Sequence, residues 1–599
     1  MPTSKSDQRT AAIPARAWNA VASAIRAFGL VWQESPRLAF GLSALSVASG
    51  ALPAAIAYLA KLIIDAVSFA IQAPTAANRH AVLVLLGFEL AAVVVLLALQ
   101  RALSVCDALL RVRLSQGVIE RVLARALELE LSELEDSALQ DELRIITEQA
   151  PDRPLSLVRR ALVALQQSVT LLGILLLLAG FSAWLLALLA AATLPSLWVE
   201  LRLNADAFRL FRTQSPESRR QRYIETVLTR ETHAKELKLY GVGPALLQRH
   251  RGIFERWYPL DRALTLRRAL WGFGLGLVSA VALSACYLWI TWSVMKGAAS
   301  IGGLTMLFVV LRQAQSSSSD LVSVLAGMHE DQLYIDTLDR FLSRERDRRD
   351  GAAAAGPAPG TGIRFDNVSF SYPGTTVPAL SNVTFHLPPG SRVSVLGKNG
   401  AGKTTLLKLL AGLYRPTAGR VTLDGLPLEQ WDPTCLSERI AVVFQDFGRY
   451  QLLAGENVGI GSAEALDDRA RWREAARAAL VEELLESLPA GYETPLGQWF
   501  EGGRELSTGE WQRLAIARIY ARPAADIVIL DEPTASIDAS GEAALLAELT
   551  ERTRGRTAIL ISHGSTWDEA DAKVLHIDDG RVVVGGSGQA SQPPIDPST

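Results

Sequence analysis

A chain of 599 residues exceeds one ordinary domain, and 49% hydrophobic residues with a positive mean hydropathy is high for a soluble protein of that size. A net charge of −2 supplies no global basic field, which argues against a nucleic-acid partner. Cys106, Cys286 and Cys435 lie far apart without metal-ligand spacing, which argues against a disulfide framework or a zinc site.

The first residues, "MPTSKSDQRTAAIPAR", lack the apolar run of a secretory signal, and Asp7 weakens a transit-peptide reading. Trp18, Val21, Ile25, Phe28 and Trp32 then recur at spacings of three and four. Ahead of a membrane span, that stripe reads as an interfacial helix, so residues 1–36 form a cytoplasmic segment that meets the membrane surface.

Six apolar segments are long enough to span a bilayer: Leu38–Ile63, Val82–Val105, Leu162–Phe181, Ala183–Leu201, Leu270–Val294 and Gly302–Leu325. The first, third and fifth connections are short and poor in basic residues. The other two are long and arginine-rich, with Arg111, Arg121, Arg159 and Arg160 in one and Arg219, Arg220, Arg222 and Arg230 in the other. The positive-inside rule places these links and both termini in the cytoplasm. Helices continuing beyond the bilayer would present contact segments there, "LSELEDSALQDEL" at 131–143 and "THAKELKLYGVG" at 232–243. Solvated charged helices are the plainer reading of both.

Ionisable and amide side chains inside the spans are expected to face a bundle interior or a wet cavity, because a charge near the bilayer centre costs about 3 kcal/mol or more. In the sixth span, Arg312, Ser316, Ser319, Asp320 and Ser323 fall near one helical face. The stripe reads as substrate-cavity lining, with Arg312, Ser316, Ser319 and Asp320 as the candidates; an interhelical polar seam is the alternative.

Residues 37–349 thus read as an all-α membrane domain, and "DGAAAAGPAPGTG" at 350–362 as a linker. Residues 363–585 have the mixed composition of an α/β domain, followed by a tail at 586–599 expected to be disordered. In "RVSVLGKNGAGKTTLLKLLAG" a strand, a glycine loop and a helix follow in order, with the spacing G-x-x-x-x-G-K-T. Gly397, Asn399, Gly400 and Gly402 let backbone amides approach phosphates; Lys403 reaches the terminal phosphates, and Thr404, with Thr405 beside it, places a hydroxyl for Mg2+. Further on, the apolar strand of "ADIVILDEPTASID" ends in Asp531, expected to hold Mg2+, and Glu532, expected to deprotonate the attacking water. His563 ends another apolar strand, where a structural role is the commoner one and contact with a γ-phosphate the functional one. In "LSTGEWQR", Ser507 and Glu510 have the spacing of a capping box that opens a helix.

With "FSYPG", "VVFQDF", "LSTGEWQR", "VILDEP", "ASID" and "ISH" in order, the chain resembles an ATP-binding cassette (ABC) exporter, over roughly residues 20–585. The resemblance implies a six-helix membrane domain fused to a P-loop ATPase cassette, with ATP and Mg2+ as cofactors. It implies that Tyr372 stacks on adenine, and that Gln445 touches Mg2+ and senses the membrane domain. It further implies that Ser507 and Gly509 contact the γ-phosphate, that Asp538 links two sites, and that His563 is the switch histidine. In this family each signature closes ATP held by the partner's P-loop, so a six-span chain with one cassette implies a homodimer with two competent sites, its contact segments seated in a cassette groove near Gln445. The family has glycine where this chain has Thr508 and glutamine where it has Glu510. A threonine methyl beside the phosphate is expected to slow closure without preventing it.

"LGQWFEGGRELSTGEWQR" and "ETHAKELKLYGVG" are similar to the branch that exports ribosomally made peptides such as lantibiotics. The implied activity is ATP-driven export of a peptide, with lipid flipping or hydrophobic-drug efflux as the alternative, and an ATP-gated channel or exporter-fold importer less favoured. No peptidase domain precedes the first span, so leader cleavage in cis is not expected. The implied setting is a bacterial inner membrane with the cassette in the cytoplasm, and the implied partners are a second copy, membrane lipid, and a peptide or hydrophobic substrate.

Overall fold

In the computed structural model the described residues are 25–585 except 27, 30, 33–34, 150–151, 180–216, 218, 297–299, 345–350, 538 and 563–571. They fall into two units, residues up to 127 with 140–345, and residues 128–139 with those from 346 onward. The expected fourth span, Trp18, Val21 and the tail at 586–599 lie outside the described residues.

In the helical unit, α1 (Pro36–Gln72), α2 (Ala76–Leu127), α5 (Arg153–Ala179), α7 (Gly243–Met295) and α8 (Ile301–Leu342) contain the first, second, third, fifth and sixth expected spans. Among the described residues, α1, α2, α5 and α7 are long and apolar enough to cross a membrane. The polar run of α8 keeps it below that measure, although the helix is continuous through it. At 52 and 53 residues, α2 and α7 far exceed the bilayer, as the long links require. Small residues bring α1 and α5 together: a Cβ on Gly50 would lie 2.6 Å from the Gln166 carbonyl, and the Thr170 hydroxyl donates to Gly50 O at 2.8 Å. Helices α5 and α8 are also joined by charge. The fully buried Asp331 takes Arg153 at 2.9 Å, the Ser156 hydroxyl at 2.6 Å and Arg160 at 3.3 Å.

The cassette unit carries two sheets. An antiparallel sheet is ordered β2 (Leu380–Leu387), β1 (Ile363–Phe370), β4 (Ala418–Leu423), β5 (Leu426–Pro427). The other is ordered β10 (Arg581–Gly585), β9 (Ala572–Asp578), β3 (Arg392–Gly397), β8 (Thr557–Ile561), β7 (Ile527–Asp531), β6 (Ile440–Val443), parallel except for β10. Every residue of β7 and β8 is buried, which is why these strands read as unbroken apolar runs.

Two segments bear directly on the sequence expectations, the first as a contact segment on the cassette and the second as the stretch read as a linker. Residues 128–139 cluster with the cassette. There Glu130 and Glu133 close a capping box on the short helix α3 (Leu131–Leu134), Glu130 takes Arg415 at 2.6 Å, Glu135 accepts the Tyr414 hydroxyl, and Leu131 packs on the cassette core. Its polar contacts go to Tyr414 and Arg415, just past the end of the P-loop helix. Helix α4 (Ser137–Gln149) follows.

The segment expected to be a free linker is folded over the β4–β5 turn. Asp424, at a φ of 49°, accepts the amides of Gly360 and Gly362 through one carboxylate oxygen at 3.1 and 3.0 Å. Its other oxygen takes Arg439 at 2.7 Å, and Ala353 pairs with Trp431. An alanine- and glycine-rich composition reads as flexible, but a single buried carboxylate gathers its amides.

Candidate functional site: a nucleotide cradle

The P-loop leaves the carboxyl end of β3, between β8 and β9, where open parallel sheets bind ligands. Gly400 and Gly402 adopt φ of 81° and 105°, and a Cβ on Gly402 would meet the Ala379 carbonyl at 2.7 Å, so both the turn and the packing require glycine. Helix α9 (Lys403–Leu410) starts there and aims its free amides at the loop. Lys403 is buried, its ammonium curled into the loop on the carbonyls of Gly397 (2.7 Å) and Lys398 (3.1 Å).

Thr404 and Asp531, 127 residues apart in sequence, meet at 3.0 Å, hydroxyl to carboxylate. Burial pushes the Asp531 carboxyl above its ordinary pKa; the Thr404 hydroxyl opposes this, Glu532 adds to it, and Lys403 opposes it more weakly. A buried carboxylate that its surroundings leave under-neutralised, beside a hydroxyl, is a donor set that suits Mg2+, which takes one or two carboxylates together with nucleotide phosphates. Among the described residues no group of three or more histidine, cysteine or acidic side chains is placed to hold a metal ion by itself.

Glu532 is held at three points. Its amide donates to Ile561 O at 3.0 Å, its carboxylate accepts from Gln445 Nε2 at 2.9 Å, and its carbonyl accepts from Gln512 Nε2 at 2.8 Å. Its φ of 49° is costly for a residue with a side chain, and these bonds sustain it. The buried Gln512 completes the brace by accepting Ser536 N at 3.0 Å. This glutamine escaped the sequence reading, because its partners lie 20 and 24 residues away and nothing local marks it.

Ser507 caps α14 (Thr508–Tyr520) as expected: its hydroxyl accepts Glu510 N at 3.4 Å, and Glu510 returns a carboxylate to Ser507 N at 2.7 Å. The departure from glutamine at Glu510 thus preserves the box. Thr508 lines a cavity of about 330 Å3 with Gln445, Gln512, Glu532 and Ser536. A Cβ on Gly509 would lie 2.7 Å from Ser536 O, so the signature turn is packed directly on the segment after Glu532. At its far end α14 is tied down by Arg518, which donates to Asn457 O at 3.0 Å and Asn457 Oδ1 at 3.2 Å. Burial pulls its pKa down to about 10, leaving it charged at neutral pH.

The remaining candidates are placed as follows. Tyr372 packs edge-on against Phe370 and Tyr414, with its hydroxyl 3.0 Å from that of Thr405. Asn399 belongs to the exposed rim of the P-loop. Asp538 and His563 lie outside the described residues. In the helical unit, Arg312, Ser316, Ser319 and Asp320 are all exposed on one face of α8, and Asp320 accepts Gln167 from α5 at 3.1 Å.

Comparison with known proteins agrees with this geometry. Residues 380–535 match the family described as ABC transporter. The chain is 27% identical to the subtilin transport ATP-binding protein SpaT of Bacillus subtilis over 77% of its own length and 75% of the relative's. It is 25% identical to the nisin transport ATP-binding protein NisT of Lactococcus lactis over 93% and 92%. A bacterial Atm1-family ABC exporter solved with ATP bound shares the fold at a TM-score of 0.78 and 21% identity, covering 91% of this chain and 94% of that one. With a braced P-loop site and these likenesses, the chain carries an ABC transporter cassette within an exporter-type fold, an ATP hydrolase coupled to transport.

Proposed function

We propose that the chain exports a peptide across a bacterial inner membrane as a homodimer powered by ATP. The observation that carries the ATPase part is the brace on Glu532, which fixes a carboxylate beside the P-loop through Gln445 and Gln512. The peptide part rests on the two relatives named for subtilin and nisin transport, which align along most of the chain.

In this reading the P-loop amides and Lys403 bind the phosphates of ATP, with Tyr372 against the adenine. Thr404 and Asp531, with Gln445 near them, would hold Mg2+, which when bound supplies neutralisation of phosphate charge. Glu532 accepts the proton of the attacking water, and Gln445 orients the carboxylate that does so. Ser507 and Gly509 of one copy close over the γ-phosphate held by Lys403 of the other, while Asp538 and His563 complete the two sites. Helix α6 (Glu231–Tyr240), stopped by Gly241 at a φ of 62°, leaves Leu239 and Tyr240 exposed, as suits a segment that seats on a cassette. The exposed polar face of α8 lines the substrate path. The cassette, both termini and the long links lie in the cytoplasm.

Stimulation of ATP hydrolysis by a panel of peptides, lipids and dyes tests the substrate class. Peptides are expected to stimulate; stimulation by lipids or dyes alone would replace peptide export by lipid flipping or drug efflux.

A further inference from the structure

A cleft of about 1370 Å3 opens in the cytoplasmic extension of the helical unit, between α4, the helical run over residues 219–229, and the start of α7. Among the described residues, seven arginines and three carboxylates line it. The carboxylates are already engaged. Asp141 takes both Arg144 and Arg219, at 3.1 and 3.0 Å, Glu148 faces Arg144 at 3.9 Å, and Glu225 faces His250 at 2.8 Å. Arg256 turns to Glu217 at 3.2 Å, and Arg222 has a partner of its own. Arg220, Arg230 and Arg249 are exposed on the cleft and, among the described residues, have no ion-pair partner. Below them Ile253 is buried and Ile224 and Leu246 half-buried, so the cleft has an apolar floor beneath a basic rim.

We infer that this cleft binds an extended acidic segment of the transported peptide before it enters the membrane. The inference rests on the peptide-export reading. Two spacings select the ligand. Arg220 lies in the first turn of that helical run and Arg230 directly after its last residue, about 15 Å apart by helix rise, a span matched by four or five residues of extended peptide and too long for one phosphate. Arg249 precedes the expected span start, Leu270, on the same continuous α7, which puts it about 30 Å from the bilayer along the helix. Screening over about 8–10 Å removes it from the field of lipid headgroups, so the surplus charge is not an ordinary membrane-surface patch. Three uncompensated guanidiniums over an apolar floor favour carboxylates presented with intervening apolar side chains.

The test uses the full-length protein in zwitterionic nanodiscs and fluorescence anisotropy of three labelled decapeptides, rich in Glu, Lys or Ser. The Glu-rich peptide is expected to bind, to weaken as salt rises, and to lose about tenfold in affinity with the combined R220Q, R230Q and R249Q variant. ATP binding by the same samples checks that the chain is folded. The charge-reversed R220E, R230E and R249E variant is expected to take the Lys-rich peptide instead, a gain that misfolding does not produce. Equal affinity of wild type and the glutamine variant for the Glu-rich peptide would overturn the site, as would its competition away by anionic lipid in the nanodisc. If binding follows these arginines while no peptide is transported, the export reading falls and the acidic site stands; if peptides are transported and the variant binds like wild type, the reverse holds.

Discussion

Glu532 and Thr508 share one small cavity, and they are where single substitutions speak most directly about the chemistry. Glu532→Gln keeps the size of the side chain and a bond to Gln445 but removes the proton acceptor. Hydrolysis is expected to fall by about a hundredfold or more while ATP-dependent closure persists, measured as phosphate release against nucleotide trapping. Turnover like wild type in that variant would mean another base. Thr508→Gly restores the family residue and removes a methyl from the cavity; it is expected to raise the turnover number with little change in ATP affinity, and an unchanged or lower rate would leave Thr508 without a kinetic role. Asp531, whose pKa burial raises, would bind protons in competition with the proposed Mg2+. Lowering the pH toward that raised value protonates it, so the Mg2+ concentration for half-maximal hydrolysis should rise as pH falls.

Helix α14 connects two jobs through one face. Its start carries Ser507 and Gly509, proposed above to close on a γ-phosphate, and one turn later Gln512 braces the carbonyl of Glu532 and the amide of Ser536. Gln512→Leu keeps the volume and takes this partner from the part-buried carbonyl of Glu532 and amide of Ser536, at about 0.5–1.5 kcal/mol each. The expected result is a kcat about tenfold lower with unchanged ATP binding; a fall in affinity with kcat intact would indicate a general packing defect instead. The strap over β4 and β5 is a second such element. Burial by itself pushes the Asp424 carboxyl up, but the bonds from Arg439 and from the amides of Gly362 and Gly360 outweigh it and hold the pKa below the ordinary value. A lowered native pKa gives stability that is present above the unfolded value of about 3.9 and is lost as pH falls through the native one. Hydrogen-exchange protection factors at residues 351–362 should therefore be high at neutral pH and fall in acid, and D424N should show low protection at both. The P-loop, the strand ending in Asp531 and the capping box were legible because their chemistry is written in contiguous residues. Gln512, the strap, and the particular partners Tyr414 and Arg415 of the contact segment at 131–143 were not, because each depends on a residue tens or hundreds of positions away. The first, second, third and fifth spans were legible from hydropathy, yet the polar run that makes α8 interesting is also what lowers its hydropathy below that of α1, α2, α5 and α7.

At the scale of the whole molecule the chain combines a cassette able to bind and cleave ATP with helices long enough to cross a membrane and extend beyond it. If two copies complete each other's sites, Ser507→Arg places a bulky cation at both signatures and should abolish hydrolysis outright. Half the wild-type rate would point to a different second chain. Coupling of ATP to movement is tested most directly by purifying this chain alone, reconstituting it in vesicles with the cassette outward, and following uptake of a labelled peptide. The account predicts uptake that needs ATP and Mg2+ and is absent with E532Q. Uptake that proceeds equally with E532Q, or hydrolysis in the wild type that no peptide stimulates and that moves none, would contradict it.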